Sequence, residues 1–395
     1  MGPATACRPG RGDVLRGCPV TGATSKPRVL HFVTGGFSSG SIQVAIQLVN
    51  AEREGGRIEP LLVLRRKSRT DPARVAELED AGTPVRVVAG WSHVATVVAL
   101  VRLCREFRPD VLVAHGFSEH LWGRYAGLVA KVPYLVHVEH NTRERYTRWR
   151  RAQMRWLAAR TARIVGCSEG VREVLLGMGM PPERTIAIPN GIRLEPFHAA
   201  TPVPASQRIP GIVMASRLSR QKDHATLLRA VAVLKERGLT PPVLIAGHGK
   251  PRYRRPLEQL CSALGLDGQV RFLGLCRNVP ELLLEHRISV LATHYEGMPL
   301  ALIEGMAAGC VAIGSAVPGV RELLHHGVDG LLVPESDPVA LADALAGALQ
   351  DDALADRLGA AGREAAMSRH SRELMNERYE DLFLELVATQ PVHRA

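Results

Sequence analysis

Residues 288–304 have the sequence I-S-V-L-A-T-H-Y-E-G-M-P-L-A-L-I-E, and this stretch contains the repeating unit of the fold. Its first five residues are apolar or small, which predicts a short buried strand. A polar loop containing Gly297 follows, and Pro299 suits the first turn of a helix. A buried strand that passes through a loop into a helix is the unit from which parallel α/β sheets are built.

The same unit recurs along the chain. Short apolar runs predict strands at 29–33, 61–64, 85–88, 111–114, 134–138 and 163–166, and then at 211–215, 243–246, 270–273, 288–292, 311–314 and 331–333. Amphipathic stretches between them predict helices at 41–51, 92–107, 121–130, 225–237, 254–264, 299–308, 338–349, 353–367 and 372–387. This alternation predicts an α/β protein with two Rossmann-like, doubly wound parallel-sheet domains that face each other across a ligand cleft.

One interruption separates the two halves. Four prolines fall in the segment 193–210, which has little periodicity. We therefore predict a disordered extension at 1–27, an N-terminal domain over 28–195, a linker at 196–210 and a C-terminal domain over 211–371. A final helix and tail over 372–395 would pack back on the N-terminal domain.

The composition is that of a globular protein with a basic balance. The 395 residues are 46% hydrophobic and 23% charged, and the net charge is +11. No apolar run approaches the length of about 20 residues that a membrane span needs, and 1–27 lacks the apolar stretch of a secretory signal. The seven cysteines form no C-x-x-C pair, which argues against a zinc site or a disulfide framework. We therefore expect a cytoplasmic protein.

Two carboxylates flank the start of the helix in the opening segment. Glu296 lies in the loop, and Glu304 lies about one and a half turns into the helix. Free amides at Gly297, Met298 and Leu300 would form an anion site at the positive end of that helix. One carboxylate could then meet sugar hydroxyls and the other ribose hydroxyls, with phosphates between them. The alternative is that both are ordinary surface glutamates.

Basic residues and glycine turns follow other predicted strands. Arg217 and Lys222 come after the strand at 211–215, where two cations can neutralise a diphosphate. A solvated basic turn is the alternative. Glycine turns can hold phosphate or sugar through backbone amides, and the turns concerned contain Gly40, Gly247 and Gly319 with Val320. The G-G-x-x-x-G spacing at 35–40 does not fit the dinucleotide-binding fingerprint.

Histidines occur at the ends of predicted strands, at His115, His137 and His140. A lone histidine is usually structural. His140, however, comes just after the strand at 134–138 and would face the proposed cleft, where parallel sheets bind their ligands. This position makes it a candidate catalytic residue.

The stretch 142–163 carries eight arginines, two tryptophans and a single acid. This composition is typical of a helix that lies on anionic lipid headgroups. The alternative is a domain helix with its aromatic side chains in the core and its arginines in solvent. No nucleic-acid-binding motif accompanies the stretch, so we expect no nucleic-acid partner.

Together these segments resemble glycosyltransferase family 4, the retaining enzymes of GT-B fold, over about residues 28–370. Glu296 to Glu304 matches the family's E-x(7)-E motif, and 215–218 with Gln221 and Lys222 matches its G-R-L…K segment. Further matches are the G-x-G turn at 247–249, F-L-G at 272–274, I-P-N-G-I at 188–192, and the regions 305–312 and 327–334. One departure is Gly305, which stands where the family usually has alanine.

The resemblance implies roles for the polar residues. Arg217 and Lys222 would bind the donor diphosphate, and Glu304 would hold the ribose. Glu296 would hold the transferred sugar near its C3 and C4 hydroxyls. His140 matches the family's histidine beside the reacting carbon.

The resemblance also implies roles for backbone positions. Gly40 would let the first loop approach the phosphates. The amides of Gly319 and Val320 would line the donor pocket. The first loop lacks the family's common G-G-A-E sequence, which leaves these contacts less well defined than the carboxylates and cations.

By resemblance, the reaction would be a retaining transfer of a hexose or N-acetylhexosamine. The donor would be a nucleotide-diphosphate sugar, UDP-linked by preference and GDP-mannose second, and it is a substrate rather than a cofactor. The acceptor would be a glycan or a lipid-linked sugar in cell-surface polysaccharide or glycolipid synthesis, with the protein peripheral on the inner face of the membrane. The sequence has no D-x-D motif and so gives no reason to invoke a metal ion.

Two other functions fit the same architecture. A nucleotide-sugar epimerase would need no acceptor, and the E-x(7)-E match argues against it. A non-catalytic nucleotide-sugar sensor is the other alternative, and the intact Arg217, Lys222, Glu296 and Glu304 argue against that one.

Overall fold

The computed structural model describes residues 26–37, 40–68, 70–116, 119–142, 147–198 and 203–388. These residues form two parallel sheets, one of seven strands and one of six, each with helices on both faces. The predicted fold class is thereby confirmed. The predicted extension at 1–27 falls almost entirely outside the described residues.

The N-terminal sheet has the strand order β3-β2-β1-β4-β5-β6-β7. Its strands are β1 Arg28–Thr34, β2 Glu59–Arg65, β3 Val85–Val88, β4 Val111–His115, β5 Tyr134–Glu139, β6 Arg163–Gly166 and β7 Thr185–Ala187. The helices of this half are α1 Gly40–Gly55, α2 Pro72–Asp80, α3 His93–Phe107, α4 Glu119–Ala130, α5 Arg148–Ala158, α6 Glu169–Gly177 and the short α7 Glu195–His198.

The C-terminal sheet repeats the pattern in the order β10-β9-β8-β11-β12-β13. Its strands are β8 Ile209–Ala215, β9 Val243–Ala246, β10 Val270–Gly274, β11 His286–Leu291, β12 Val311–Ser315 and β13 Leu331–Val333. The helices are α8 His224–Glu236, α9 Pro251–Ala263, α10 Val279–Glu285, α11 Leu300–Ala308, the short α12 Pro318–Arg321, α13 Pro338–Gln350, α14 Asp352–Arg369 and α15 Arg372–Ala388.

The strands are largely apolar because helices cover both faces of each sheet. In β4, β11 and β12 every residue is buried. The first strand of each sheet pairs in parallel on both sides, β1 with β2 and β4, and β8 with β9 and β11. The strand order therefore reverses beside β1 and beside β8, and ligands of such sheets bind at this point.

The last helix returns to the N-terminal half of the chain. Met375, Tyr379 and Phe383 of α15 are buried in one apolar cluster with Val44 and Leu48 of α1. Before this helix, the amide of Ile192 donates to the carbonyl of His370, and the amide of Arg372 donates to the carbonyl of Ile192. The chain thus crosses twice between the two sheets.

Several element bounds differ from those predicted. Helix α1 starts at Gly40 and continues to Gly55, and Pro299 precedes α11 as its cap residue instead of lying in its first turn. The structure also contains α2, α6 and β7, which were not predicted. Within the described ranges, no helix is both long and apolar enough to cross a bilayer.

Candidate functional site

Glu296 lies at the centre of a hydrogen-bonded cluster at the carboxyl end of β11. Lys222 Nζ contacts its Oε1, which also accepts a hydrogen bond of 2.8 Å from Thr293 Oγ1 and one of 3.3 Å from Gln221 Nε2. The carboxylate is 6% exposed. A buried carboxylate needs such partners, because an uncompensated charge in the interior is costly. The two predicted residues Lys222 and Glu296 are therefore brought together, with Lys222 paired to the carboxylate.

The backbone beside Glu296 offers several free donors. Within the described residues, the amides of Gly297, Met298 and Leu300 donate no backbone hydrogen bond. They precede or begin α11, whose N-terminal end carries partial positive charge. This arrangement is suited to an anion, as the sequence predicted.

Gly297 packs against the N-terminal half of the molecule. We predicted this glycine as one of the amide donors of an anion site. In the structure, a Cβ atom at this position would collide with the carbonyl oxygen of His140 and lie 2.9 Å from Cys167 Sγ. Nearby, Thr142 Oγ1 donates a hydrogen bond of 3.0 Å to the carbonyl of Glu296. The backbone of Gly297 is therefore approached closely by residues of the N-terminal half of the chain.

Gly319 and Val320, in α12, pack against the loop that contains Glu296 and Gly297. A Cβ atom on Gly319 would collide with the carbonyl oxygens of Gly297 and Glu296. The amide of Val320 donates to the carbonyl of Val317 at 3.0 Å. The Val320 amide is thus used within α12, which removes one donor from the predicted pocket lining.

Glu304 occupies a different environment from Glu296. It lies on α11 and is half-buried, and no hydrogen bond or ion pair links it to another described residue. Burial raises the pKa of its carboxyl group from 4.5 to about 7. A poorly solvated carboxylate without a partner is prepared to accept hydrogen bonds from ligand hydroxyls.

Arg217 faces an open cavity of about 620 Å³. The cavity is lined by Arg217, Ser219, Arg220, Gln221, Arg252, Tyr253 and Tyr295. Its three arginines give it a positive lining. A Cβ atom on the predicted Gly247 would collide with the carbonyl of Ser216, so this glycine packs the loop after β9 against the residue before Arg217.

His140 follows β5 directly and is half-buried. Its amide donates to Glu139 Oε1 at 2.9 Å, and its Nε2 lies 3.3 Å from Nδ1 of His115. Burial lowers the pKa of His140 to about 4, so the ring is neutral at physiological pH. Because its carbonyl abuts Gly297, His140 is next to the loop that carries Glu296.

Gly40 takes no part in the contacts described above. It begins α1 and is exposed, and a Cβ atom there would meet nothing within 4 Å. Residues 38–39, which precede it, lie outside the described residues. The structure therefore brings no other predicted site residue to Gly40.

The predicted basic stretch forms helix α5, although residues 143–146 lie outside the described ranges. Met154, Leu157 and Ala158 form its buried face. Trp149 and Trp156 are 73% and 48% exposed. The alternative in which both tryptophans fill the core is therefore wrong.

Three potential metal ligands also come together among the described residues. His120, His137 and Glu139 place one ligand atom each within 4.8 Å of one another. Arg124 is buried beside them and donates to His120 Nδ1. A fixed guanidinium charge opposes a cation at this position.

Both halves of the chain match known protein families. Residues 203–365 match the family described as glycosyl transferases group 1, and residues 44–196 match the one described as Glycosyltransferase Family 4. The chain belongs to the family 4 glycosyltransferases. Within this glycosyltransferase, the first match contains Arg217, Lys222, Glu296 and Glu304, and the second contains His140.

Two relatives illustrate the range of the similarity. An exopolysaccharide phosphotransferase of Streptomyces coelicolor is 34% identical over 220 residues, which are 55% of this chain but only 22% of that protein. The UDP-Gal:α-D-GlcNAc-diphosphoundecaprenol α-1,3-galactosyltransferase of Escherichia coli is 24% identical over 311 residues, 75% of this chain and 80% of that protein.

Comparison with a solved structure also supports the assigned fold. The crystal structure of Anabaena HepE in complex with UDP and glucose matches with a TM-score of 0.78 at 21% identity. The match covers 91% of the glycosyltransferase chain and 100% of HepE. This likeness shows that the two proteins share the GT-B architecture.

Some residues of the glycosyltransferase site were not predicted. Thr293 and Thr142 bind the Glu296 loop, but each is a single threonine in a loop and has no sequence signal of its own. Two buried polar residues of the N-terminal half, His31 and Glu52, were also not predicted, although the sequence pattern around each marks it as buried. His31 interrupts the apolar run of β1, and Glu52 continues the buried stripe Ile42, Ala45, Val49 of α1.

Proposed function

We propose that this glycosyltransferase moves a hexose or N-acetylhexosamine, with retention of configuration, from a nucleotide-diphosphate sugar to a hydroxyl of a glycan or lipid-linked acceptor. A UDP-sugar is the preferred donor and GDP-mannose the second. The product would enter a cell-surface polysaccharide or glycolipid. The proposal involves no metal ion, since the phosphate charge is met by protein groups.

The observation that carries the proposal is the cluster around Glu296. A carboxylate held by Lys222 and Thr293 lies beside the free amides at the start of α11. The carbonyl of His140 closes the other side of the same loop. Hydroxyl-binding and phosphate-binding groups therefore stand side by side where two sheets face each other, which is the arrangement that a nucleotide sugar requires.

Further residues extend the donor site on both sides. Arg217, at the edge of its cavity, would share the diphosphate with Lys222 and the helix amides. Glu304, whose carboxylate has no partner among the described residues, would accept hydrogen bonds from the ribose. These groups are fixed before the reaction and would stabilise the leaving diphosphate as its charge develops.

The relatives support the choice of donor and acceptor. The name of the E. coli relative specifies a UDP-sugar donor and a lipid-linked sugar acceptor. HepE was solved with UDP and glucose. The Streptomyces relative belongs to exopolysaccharide chemistry by name. We therefore place UDP-sugars first and a lipid-linked glycan first among the acceptors.

In the proposed reaction the acceptor hydroxyl attacks the anomeric carbon on the face from which the diphosphate leaves. The bond from the anomeric carbon to the phosphate oxygen breaks, and the bond to the acceptor oxygen forms. The departing phosphate takes the proton of the acceptor hydroxyl. His140 lies beside the reacting carbon, and Glu296 holds the sugar.

Helix α5 is the proposed contact with an anionic membrane surface. Trp149 and Trp156 are exposed on one face of the helix, and Arg148, Arg151 and Arg155 are exposed around it. Tryptophans next to arginines bind the headgroup region of anionic bilayers. Flotation with vesicles containing phosphatidylglycerol should recover the protein, and Trp149→Ser with Arg151→Glu should lose this binding. Equal flotation with purely zwitterionic vesicles would contradict the proposal.

The direct test of the function is a transfer assay followed by NMR. Purified protein would be incubated with UDP-glucose, UDP-galactose or UDP-N-acetylglucosamine and an undecaprenyl-diphosphate sugar. We expect a new glycosidic bond with the anomeric configuration of the donor. Conversion of the donor to its epimer without acceptor would support the epimerase instead, and binding without turnover would support the sensor.

A further inference from the structure

A continuous hydrogen-bonded chain of three histidines and a glutamate runs through the N-terminal sheet. Glu52 of α1 contacts His31 Nε2 through both carboxylate oxygens, at 3.0 and 3.1 Å. His31 Nδ1 lies 3.1 Å from His115 Nε2, and His115 Nδ1 lies 3.3 Å from His140 Nε2. The hydrogen-bonded chain runs across the sheet from strand to strand, because β1, β4 and β5, which carry or precede the three histidines, are neighbours.

All members of the chain are shielded from solvent except its last. His31, His115 and Glu52 are at most 4% exposed. The His31 and His115 rings are stacked at 5.4 Å, and the edge of Phe383 from α15 covers His31 at 5.7 Å. Burial lowers the pKa of His115 well below its usual range, so both His115 and His140 are neutral imidazoles at physiological pH.

The chemistry of the chain fixes where each proton lies. A carboxylate can only accept, so His31 must carry its proton on Nε2 and leave Nδ1 as an acceptor. His115 must then donate from Nε2 and accept at Nδ1, and His140 must donate from Nε2. This leaves the lone pair of His140 Nδ1, a buried atom that makes no hydrogen bond within the described residues.

We propose that Glu52, His31 and His115 are positioning residues that hold His140 in a single tautomer with an acceptor nitrogen for a substrate hydroxyl. The inference rests on the proposed function, in which His140 stands beside the reacting sugar. Without the chain, the other tautomer would place an N–H group on Nδ1. That group would donate to the hydroxyl oxygen instead of accepting a hydrogen bond from its O–H.

The tautomers can be measured in the unmodified protein. ¹⁵N-histidine labelling distinguishes a protonated ring nitrogen from a bare one, and single His→Gln variants assign the signals. We expect Nε2 to be protonated and Nδ1 bare in His31, His115 and His140 at neutral pH. A proton on Nδ1 of His140 in the unmodified protein would overturn the proposal.

A variant of Glu52, at the opposite end of the hydrogen-bonded chain from His140, tests the effect of these hydrogen bonds on catalysis. Glu52→Leu should allow His140 to adopt both tautomers and lower kcat at least about tenfold, with the donor KM within about twofold. Glu54→Leu, on the same helix with an exposed side chain, is the matched control. Unchanged kcat together with an unchanged His140 spectrum in Glu52→Leu would overturn the proposal.

The outcomes also separate this inference from the proposed function. A single His140 tautomer in a protein that transfers no sugar would contradict the proposed function and leave the tautomer assignment in place. Sugar transfer with a mixture of His140 tautomers in the unmodified protein would contradict the positioning role alone.

Discussion

In the proposed function Lys222 and Arg217 both bind the donor diphosphate, but the structure holds the two side chains differently. Lys222 is paired with Glu296, whereas the guanidinium of Arg217 is exposed and makes no hydrogen bond with the described residues. A preorganised cation contributes more to catalysis than a mobile one, because no reorganisation is needed as charge develops. In the proposed site both charges would meet the same diphosphate.

We predict that Lys222→Ala and Arg217→Ala each lower kcat at least about tenfold, since each removes a charge that stabilises the leaving diphosphate. Lys222→Ala also removes the counter-charge of Glu296. Steady-state transfer assays measure the effect, and Arg229→Ala, on an exposed position of α8, is the control. Normal turnover in both variants would rule out this assignment of the diphosphate site.

Glu304 should make the free protein less stable as pH rises. Its pKa is raised from 4.5 to about 7 by burial, so the folded state binds more protons than the unfolded state between these values. Glu304→Gln should therefore be more stable than the parent at pH 8 by about 1–3 kcal/mol, and the difference should shrink towards pH 5. The same variant should bind donor more weakly.

Urea unfolding at pH 5, 6.5 and 8 would measure the difference between Glu304→Gln and its parent. Glu335→Gln is a useful comparison, because this carboxylate is partly exposed and contacts His294. If the parent and Glu304→Gln showed parallel pH profiles, the environment assigned to Glu304 would be wrong.

At the scale of elements, helix α11 depends on a close fit to strand β11. A Cβ atom on Gly305 would collide with the side chain of Ser289. This contact explains why glycine stands where the family usually has alanine. It also brings α11, and with it Glu304, close to the sheet.

We predict that Gly305→Ala destabilises the protein by about 1–3 kcal/mol, because overpacking outweighs the gain in helix propensity. Adding Ser289→Gly should recover part of the loss, since it removes the colliding atoms. Gly347→Ala in α13, where the nearest atom to a new Cβ is 3.9 Å away, should be neutral or stabilising. Thermal unfolding would compare all three, and a stabilised Gly305→Ala would contradict the packing described here.

The strands that carry the fold were predictable because each is a buried apolar run. The elements that were missed lack that signal. Helix α2 has no buried residue and so no apolar stripe, and β7 has the sequence Thr-Ile-Ala, without the fully apolar run of the equally short β13. The fold class follows from the repeated strand–helix unit, and the exact helix ends do not, because capping residues such as Pro299 are set by local geometry.

At the scale of the whole molecule, contacts between the two halves determine the shape of the cleft. Glu322, after α12, accepts hydrogen bonds of 2.7 Å from the amides of Glu169 and Gly170 at the start of α6. The carboxylate thus binds the positive end of a helix in the other half of the chain. Together with Gly297 against His140, this contact joins the two halves of the chain.

We predict that Glu322→Ala opens the cleft, because it removes two charge-assisted hydrogen bonds worth about 1.5–3 kcal/mol each. Small-angle scattering should show a larger radius of gyration without donor, and a saturating donor should reduce the difference. Glu183→Ala, at an exposed glutamate, is the control. Scattering identical to the parent would show that this contact does not hold the two halves together.

Contacts between residues far apart in the sequence could not be predicted from the sequence alone. Arg217, Lys222, Glu296 and Glu304 lie within one half of the chain and follow from motifs. The pairing of Lys222 with Glu296 joins residues 74 positions apart, and Thr142 reaches Glu296 across 154 positions. No local pattern specifies such pairs, because the first depends on the pairing of β8 with β11 within one sheet and the second on how the two sheets pack.

The central claim is that this protein binds a nucleotide-diphosphate sugar through Lys222 and its neighbours. The measurement that tests it most directly is thermal stabilisation and slow donor hydrolysis over a panel of UDP-, GDP- and ADP-sugars, with Lys222→Ala as the control. We expect one nucleotide class, UDP-sugars first, to stabilise and be hydrolysed by the parent but not by the variant. No stabilisation by any of the three classes would contradict the claim.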